Sequence, residues 1–167
     1  MTIRPSEYAR LVQQRQARLY RMAFCYVKNQ QDALDIVSEA VCRGLTHLGQ
    51  LKDRDRFDPW LNRIVIHAAL DHLRRPDLIL PEGEELLPLL PAQEQTLEPE
   101  DSMDLYAALE LLAPEERTDI ILRFFEEYTF REMAQILDQP ESTIKSRLYR
   151  TLAKLRRRLQ PDDETKR

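Results

Sequence analysis

The densest chemistry in the sequence lies between Ser142 and Gln160, where nineteen residues hold seven lysines and arginines and no carboxylate. Ile144, Leu148, Leu152, Leu155 and Leu159 recur at helical spacing and define an inward face. Ser142, Thr143, Lys145, Ser146, Arg147, Tyr149 and Arg150 then crowd the outer side of the first turns. A helix of this kind can enter a DNA major groove, where Lys and Arg reach guanine acceptors and Ser or Thr reaches phosphate or a base edge. An ordinary surface helix intersperses Glu with Lys at i,i+4, and none occurs here. A charge run alone would also suit a solvated face, so its context has to decide.

The preceding residues supply that context. Thr129 and Glu132 form a T-x-x-E capping box that opens a helix with Met133, Ala134, Ile136 and Leu137 inside. Asp138, Gln139 and Pro140 break it, and a new helix begins at once. Two helices joined by a three-residue turn, with small Ala134 where they cross, form a helix-turn-helix pattern. Glu141, in the first turn of the second helix, either favours the helix dipole or accepts from cytosine N4.

Other chemistries find no footing. Gly44, Gly49 and Gly83 are too scattered to cradle phosphate. No Ser-His-Asp, paired-carboxylate or zinc-ligand constellation is evident, so neither an enzyme nor a cofactor is expected. His67 and His72, five apart, cannot share a metal on a straight helix, and no metal site is assigned. Cys25 and Cys42 sit in apolar stretches without a CxxC pair, as reduced, buried thiols of a cytoplasmic protein do. No apolar run approaches a membrane span, and the N-terminus has no secretory h-region.

The elements that must hold these residues read as all-α. A first helix follows Ser6, a candidate N-cap, and ends near Asn29. A second, from about Gln31 to Leu48, turns Leu34, Val37, Val41, Leu45 and Leu48 inward and Asp32, Asp35, Glu39 and Arg43 outward. Ile36, about 100° around from Asp35, is expected toward solvent. Asp58 and Pro59 read as the cap and first turn of a third helix burying Leu61, Ile64, Val65, Ala68, Ala69 and Leu73. Trp60 is expected in the core. Residues 76–101 carry five prolines and eight carboxylates without a cation, a composition that resists regular structure and reads as a linker. Residues 1–75 carry net +5, and 102–141 carry net −7, so the overall −4 conceals strong segregation. The expected organisation is a helical domain over 1–75, an acidic linker over 76–101 and a second helical domain over 102–167.

With the helix-turn-helix in place, two stretches become recognisable. DALDIVSEAV followed by FDPWLNRIVIHAALDHLRR, and YTFREMAQILDQPESTIKSRLYRTLAKLRR with its S-T-I-K-S-R-L core, resemble regions 2 and 4 of the extracytoplasmic-function subgroup of bacterial RNA polymerase sigma factors. The resemblance implies a factor that binds core RNA polymerase and directs it to promoters in an envelope or other stress response. Its implied core-docking residues are Asp32, Asp35, Ile36, Glu39 and Arg43; this chain has Ser38-Glu39 where the family often has Gln-Glu. The implied minus-ten readers are Lys52, Arg54 and Arg56 in the loop from Gly49 to Phe57, with Arg63, His67, Asp71, Arg74 and Arg75. Ser142, Thr143, Lys145, Ser146, Arg147, Tyr149 and Arg150 become the minus-thirty-five readers. The implied partners are core polymerase, promoter DNA as duplex and melted strand, and an anti-sigma factor, often membrane-anchored in the family. The linker would thread the RNA exit path, or serve as a plain spacer. The family acts in the cytoplasm, at the nucleoid when in holoenzyme. The competing reading is a helix-turn-helix regulator with an N-terminal sensor or dimerisation domain.

Overall fold

The computed structural model describes residues 2–74 and 100–159, and every described element is helical. The described residues fall into two compact units, one on each side of the acidic segment. Arg75 and nearly all of the expected linker lie outside the described residues.

The first unit contains α1 (Pro5–Val27), α2 (Gln30–Thr46) and α3 (Phe57–Arg74), each packed on the other two. Pro5 rather than Ser6 sets the start of α1. It occupies the first helical position after an extended Arg4, where its missing N–H costs nothing. Lys28 closes the helix in the left-handed conformation, φ 55°, and Asn29 then caps α2 by accepting from the Asp32 N–H at 2.8 Å. Asp58 is likewise not a cap. Helix α3 begins at Phe57, continuing a 3₁₀ turn over Arg54–Arg56 that Asp53 caps, and Asp58 pairs with Arg15 of α1 instead.

The buried arc of α2 differs from the expected one. Ala33, Ile36, Val37, Ser38, Ala40, Val41 and Gly44 are buried, whereas Leu34 is half-buried and Leu45 is 45% exposed. Ile36 is therefore core, fully enclosed, and the expectation that it faces solvent is corrected. Packed against both α1 and α3, the helix buries a wide arc through its small residues, which let the backbones approach. Gly44 shows how closely: a Cβ there would overlap the Tyr8 hydroxyl, which donates to the Val41 carbonyl at 2.7 Å. Cys42, expected inside, is exposed next to this arc, while Cys25 is buried. Trp60 is half-buried, in an aromatic cluster with Tyr8 and Phe57 at centroid distances of 6.5 and 5.8 Å.

The second unit contains α4 (Glu100–Glu110), α5 (Pro114–Ile120), α6 (Phe130–Leu137) and α7 (Glu141–Leu159). Helix α5 runs into one π-helical turn, Ile121–Phe125, which buries Ile121 and Leu122 and leaves Phe124 exposed. Leu109, Leu112, Met133, Ile144 and Leu148 complete the core. Buried Arg117 donates to the carbonyls of Leu112 and Glu110, meeting acceptors that the end of α4 leaves free.

Candidate nucleic-acid interface

The helix-turn-helix is built by local chemistry. Thr129 Oγ1 accepts from the Glu132 N–H at 3.1 Å, and Glu132 Oε1 accepts from the Thr129 N–H at 2.9 Å, so two donors at the start of α6 are satisfied reciprocally. Asp138 ends α6 in the left-handed conformation, and Pro140, which cannot donate, precedes the first turn of α7. Ile144, Leu148, Thr151 and Leu155 face the core. The opposite face exposes Ser142, Thr143, Lys145, Ser146, Tyr149 and Arg150, with Arg156 to Arg158 also exposed farther along. Lys145 Nζ lies 5.4 Å from the Phe130 ring centroid and the Arg123 guanidinium 4.6 Å from it, so this aromatic ring steadies the first turn of α7.

Arg147 does not belong to that exposed set. Its guanidinium grips Asp119, which is wholly buried, through Nε at 2.5 Å and Nη2 at 2.9 Å, and Nη2 also donates to Gln139 at 2.8 Å. Burial pushes the Asp119 carboxyl up while Arg147 opposes the rise; the same contact raises Arg147. One turn earlier on α5, Glu116 receives Lys154 Nζ at 2.8 and 3.0 Å and the Thr151 hydroxyl at 3.3 Å. The missing carboxylates of α7 are thus supplied by α5.

Desolvation alone would raise the Glu116 carboxyl, yet hydrogen bonds from Lys154, the Ala113 N–H and Thr151 outweigh it and hold the group below its ordinary 4.5. A depressed carboxylate contributes stability that is present above the unfolded value and lost as pH falls through the folded one. Thermal melts of wild type should therefore show destabilisation below about pH 4.5 that Glu116→Gln reduces; equal acid sensitivity in both proteins would remove this contribution.

In the first unit, buried Leu51 and Phe57 pin the two ends of the cationic loop, leaving Lys52, Arg54 and Arg56 exposed between them. Two of these cations have carboxylate neighbours. Arg54 pairs with Glu7 of α1, and Arg56 Nε lies 3.8 Å from Asp53. On α3, Arg63, His67 and Arg74 are exposed. Partial desolvation, then the Arg63 charge, lowers the His67 pKa below its ordinary 6.5 and favours the neutral ring. Asp71 accepts from Arg43 at 2.9 Å, and Arg74 stands 3.9 Å away. Arg43 also meets Glu39 at 3.0 Å, so the residue expected to dock and the residue expected to read are joined in one network.

Asp32, Asp35 and Glu39 form the outer side of α2, each half-buried, and His72 of α3 approaches Asp32 at 3.7 Å. Desolvation, then the Asp32 charge, raises the Asp35 carboxyl above its ordinary value. Exposed Leu45 and half-buried Leu34 flank this acidic face, although the apolar spacing of the helix predicts both inward. No cluster of three metal-ligating side chains occurs among the described residues, and no described helix is long and apolar enough to cross a membrane.

Comparison with known proteins covers both units. The profile described as Sigma-70 region 2 matches residues 11–77, and that described as Sigma-70, region 4 matches residues 102–155. The RNA polymerase sigma factor SigV of Bacillus subtilis is 36% identical over 144 residues, 86% of each chain. The RNA polymerase sigma-E factor of Streptomyces coelicolor is 31% identical over 153 residues, 92% of this chain and 86% of that one. The ECF RNA polymerase sigma factor SigX of Bacillus subtilis is 28% identical over 155 residues, 85% of this chain and 78% of that one. In fold, the chain is similar to the co-crystal structure of the sigma factor RpoE in complex with the anti-sigma factor NepR from Bartonella quintana. The TM-score is 0.73 at 19% identity, over 94% of this chain and 99% of that one.

Proposed function

The chain belongs to the extracytoplasmic-function subgroup of the sigma-70 family of RNA polymerase sigma factors, and from that premise we propose how its two units divide the work of promoter-directed transcription initiation. The outer side of α2, Asp32, Asp35 and Glu39 with Leu45 beside them, docks on core polymerase. The loop ending at Phe57, with Arg63 and His67 of α3, contacts the minus-ten element, where exposed cations suit single-strand phosphates. Helix α7 reads the minus-thirty-five element through Ser142, Thr143, Lys145, Ser146, Tyr149 and Arg150. Polymerase supplies the chemistry and this chain the address. The organisation as region 2, linker and region 4 places the acidic residues 76–101 between two recognition units. An anti-sigma factor, as in the complex of RpoE with NepR, is the expected antagonist, and the protein acts in the cytoplasm beside polymerase.

One observation carries this reading: a locally capped helix-turn-helix exposes a hydroxyl-, lysine- and arginine-bearing face while the other face of its second helix is locked into the core. A stand-alone regulator is not favoured, because residues 11–77 match region 2 rather than a sensor domain. Run-off transcription from the gene's own upstream DNA should require both this chain and core polymerase. Tight, specific binding of promoter duplex by the chain alone, with no transcript on adding core, would overturn the reading.

Within α7 the exposed cations should separate by role. Arg150→Ala is expected to cost about 1 to 3 kcal/mol at the preferred element and to flatten base preference, whereas Arg157→Ala should weaken all sequences alike. Binding of both holoenzymes to a randomised minus-thirty-five library distinguishes them, and equal losses on every sequence for Arg150→Ala would exclude that residue as a reader.

A further inference from the structure

We propose that Asp119, acting with Gln139 through Arg147, is a positioning residue for base recognition: it sets the roll and slide of α7, so promoter discrimination depends on a side chain wholly shielded from DNA. The inference rests on the reading of α7 as the minus-thirty-five helix.

Apolar contacts hold α7 on its inner face, through Ile144, Leu148 and Leu155. Such contacts are non-directional and tolerate small rotations about the helix axis. A bidentate guanidinium–carboxylate pair is directional, because two N–H donors must meet two oxygens in one plane. Asp119 supplies this pair from α5, and Gln139 adds a third hydrogen bond from the turn that joins α6 to α7. Arg147 is therefore tied at once to the scaffold and to the start of its own helix.

A second, more exposed anchor supports the placement. Glu116, one turn before Asp119 on α5, holds Lys154 and Thr151. Arg147 and Lys154 are seven residues apart, about 10 Å along a helix rising about 1.5 Å per residue. Two ties this far apart oppose both sliding and swinging of the helix. A buried ion pair is a weak source of stability, since apolar residues of similar volume serve as well or better. What the Asp119–Arg147 pair adds is orientation, and a displacement near 1 Å at the reading face is enough to misalign hydrogen bonds to base edges.

The experiment compares holoenzymes, formed from core polymerase and the full chain, on a randomised minus-thirty-five library. The variants are Asp119→Asn, Arg147→Gln, their combination and Gln139→Ala; thermal melts are recorded for each chain. Asp119→Asn and Arg147→Gln should each reduce the ratio of best to median element about 5- to 20-fold, the lower part of the range for one lost base contact. Both should give the same altered pattern across several base positions, and the double variant should be no worse than either single one. Gln139→Ala, which leaves no buried charge unpaired, should reproduce that pattern at about 2-fold, the size of one modest hydrogen bond; it decides the question if Asp119→Asn does not fold.

Unchanged base preference with lowered melting temperatures would make Asp119 merely structural. Altered preference at a single position for Arg147→Gln, with none for Asp119→Asn or Gln139→Ala, would make Arg147 a direct reader. Either result overturns the proposal while the functional reading survives. A wild-type holoenzyme that discriminates no sequence would overturn both.

Discussion

Assembly with core polymerase should weaken about 30-fold or more when Asp35 and Glu39 are both replaced by lysine, with helical content unchanged. Truncating one side of a desolvated interfacial charge pair costs about 2 to 5 kcal/mol, and reversal adds repulsion. Both side chains lie on the outer face of α2, outside its buried arc, so the three-helix core does not depend on them. Glu39→Lys releases Arg43, which keeps Asp71 as a partner. Ile36 separates docking from folding: it is enclosed in the core, and Ile36→Ala should cost about 2 to 5 kcal/mol of stability. Cys42 supplies a readout without mutation. It is exposed on the same side of α2, whereas Cys25 is buried, so core polymerase should slow alkylation of Cys42 in wild type and not in the double variant. Normal co-purification of Asp35→Lys/Glu39→Lys with core would remove α2 from the interface.

The second large effect concerns the stability of the α1–α3 unit. A methyl group at Gly44 would overlap the Tyr8 hydroxyl and come within 3.1 Å of its ring carbon. The ring cannot retreat, because Tyr8 is fully buried beside Phe57 and Trp60. Burial, then the neighbouring Cys42, raises the phenol well above its ordinary value, so it remains a donor to the Val41 carbonyl. Overpacking costs about 1 to 3 kcal/mol and the lost hydrogen bond about 1, while replacing glycine inside a helix returns about 1. Gly44→Ala should thus lose about 1 to 3 kcal/mol in a denaturant melt. Tyr8→Phe removes the clashing oxygen, so Gly44→Ala/Tyr8→Phe should recover most of that loss. A double variant no more stable than Gly44→Ala would show that the strain lies elsewhere.

These residues also mark where the sequence is legible. The helix-turn-helix can be read because its signals are local: Thr129 and Glu132 cap each other three residues apart, and Asp138 to Pro140 interrupt the helix where they stand. Ile36 and Leu45 were misplaced because counting only large apolar residues ignores Ala33, Ala40 and Gly44, whose small size draws the buried arc toward them. Arg147 was misplaced for a different reason. Its partner lies 28 residues upstream, and a carboxylate on another helix leaves no trace in the spacing of α7. Ser6 and Asp58 are both good cap residues, but Pro5 fixes one start and a pre-existing 3₁₀ turn the other. At the second of these starts a tertiary contact also takes the candidate cap away, since Asp58 pairs with Arg15 of α1.

The two anchors on α5 also bear on the thermodynamics of small ions. DNA binding draws part of its free energy from counterions released when cations neutralise phosphates, and a cation already matched by a fixed carboxylate adds little to that release. Of the seven cations between Ser142 and Gln160, Arg147 and Lys154 are matched in this way, which leaves five. The logarithm of this helix's duplex affinity then falls with the logarithm of salt concentration at a slope no steeper than about −4.5, rather than the roughly −6.3 that a bare count of charges implies. If α7 reads DNA as proposed, these two pairs with α5 carboxylates exchange part of its ionic affinity for orientation, and its binding should weaken less as ionic strength rises.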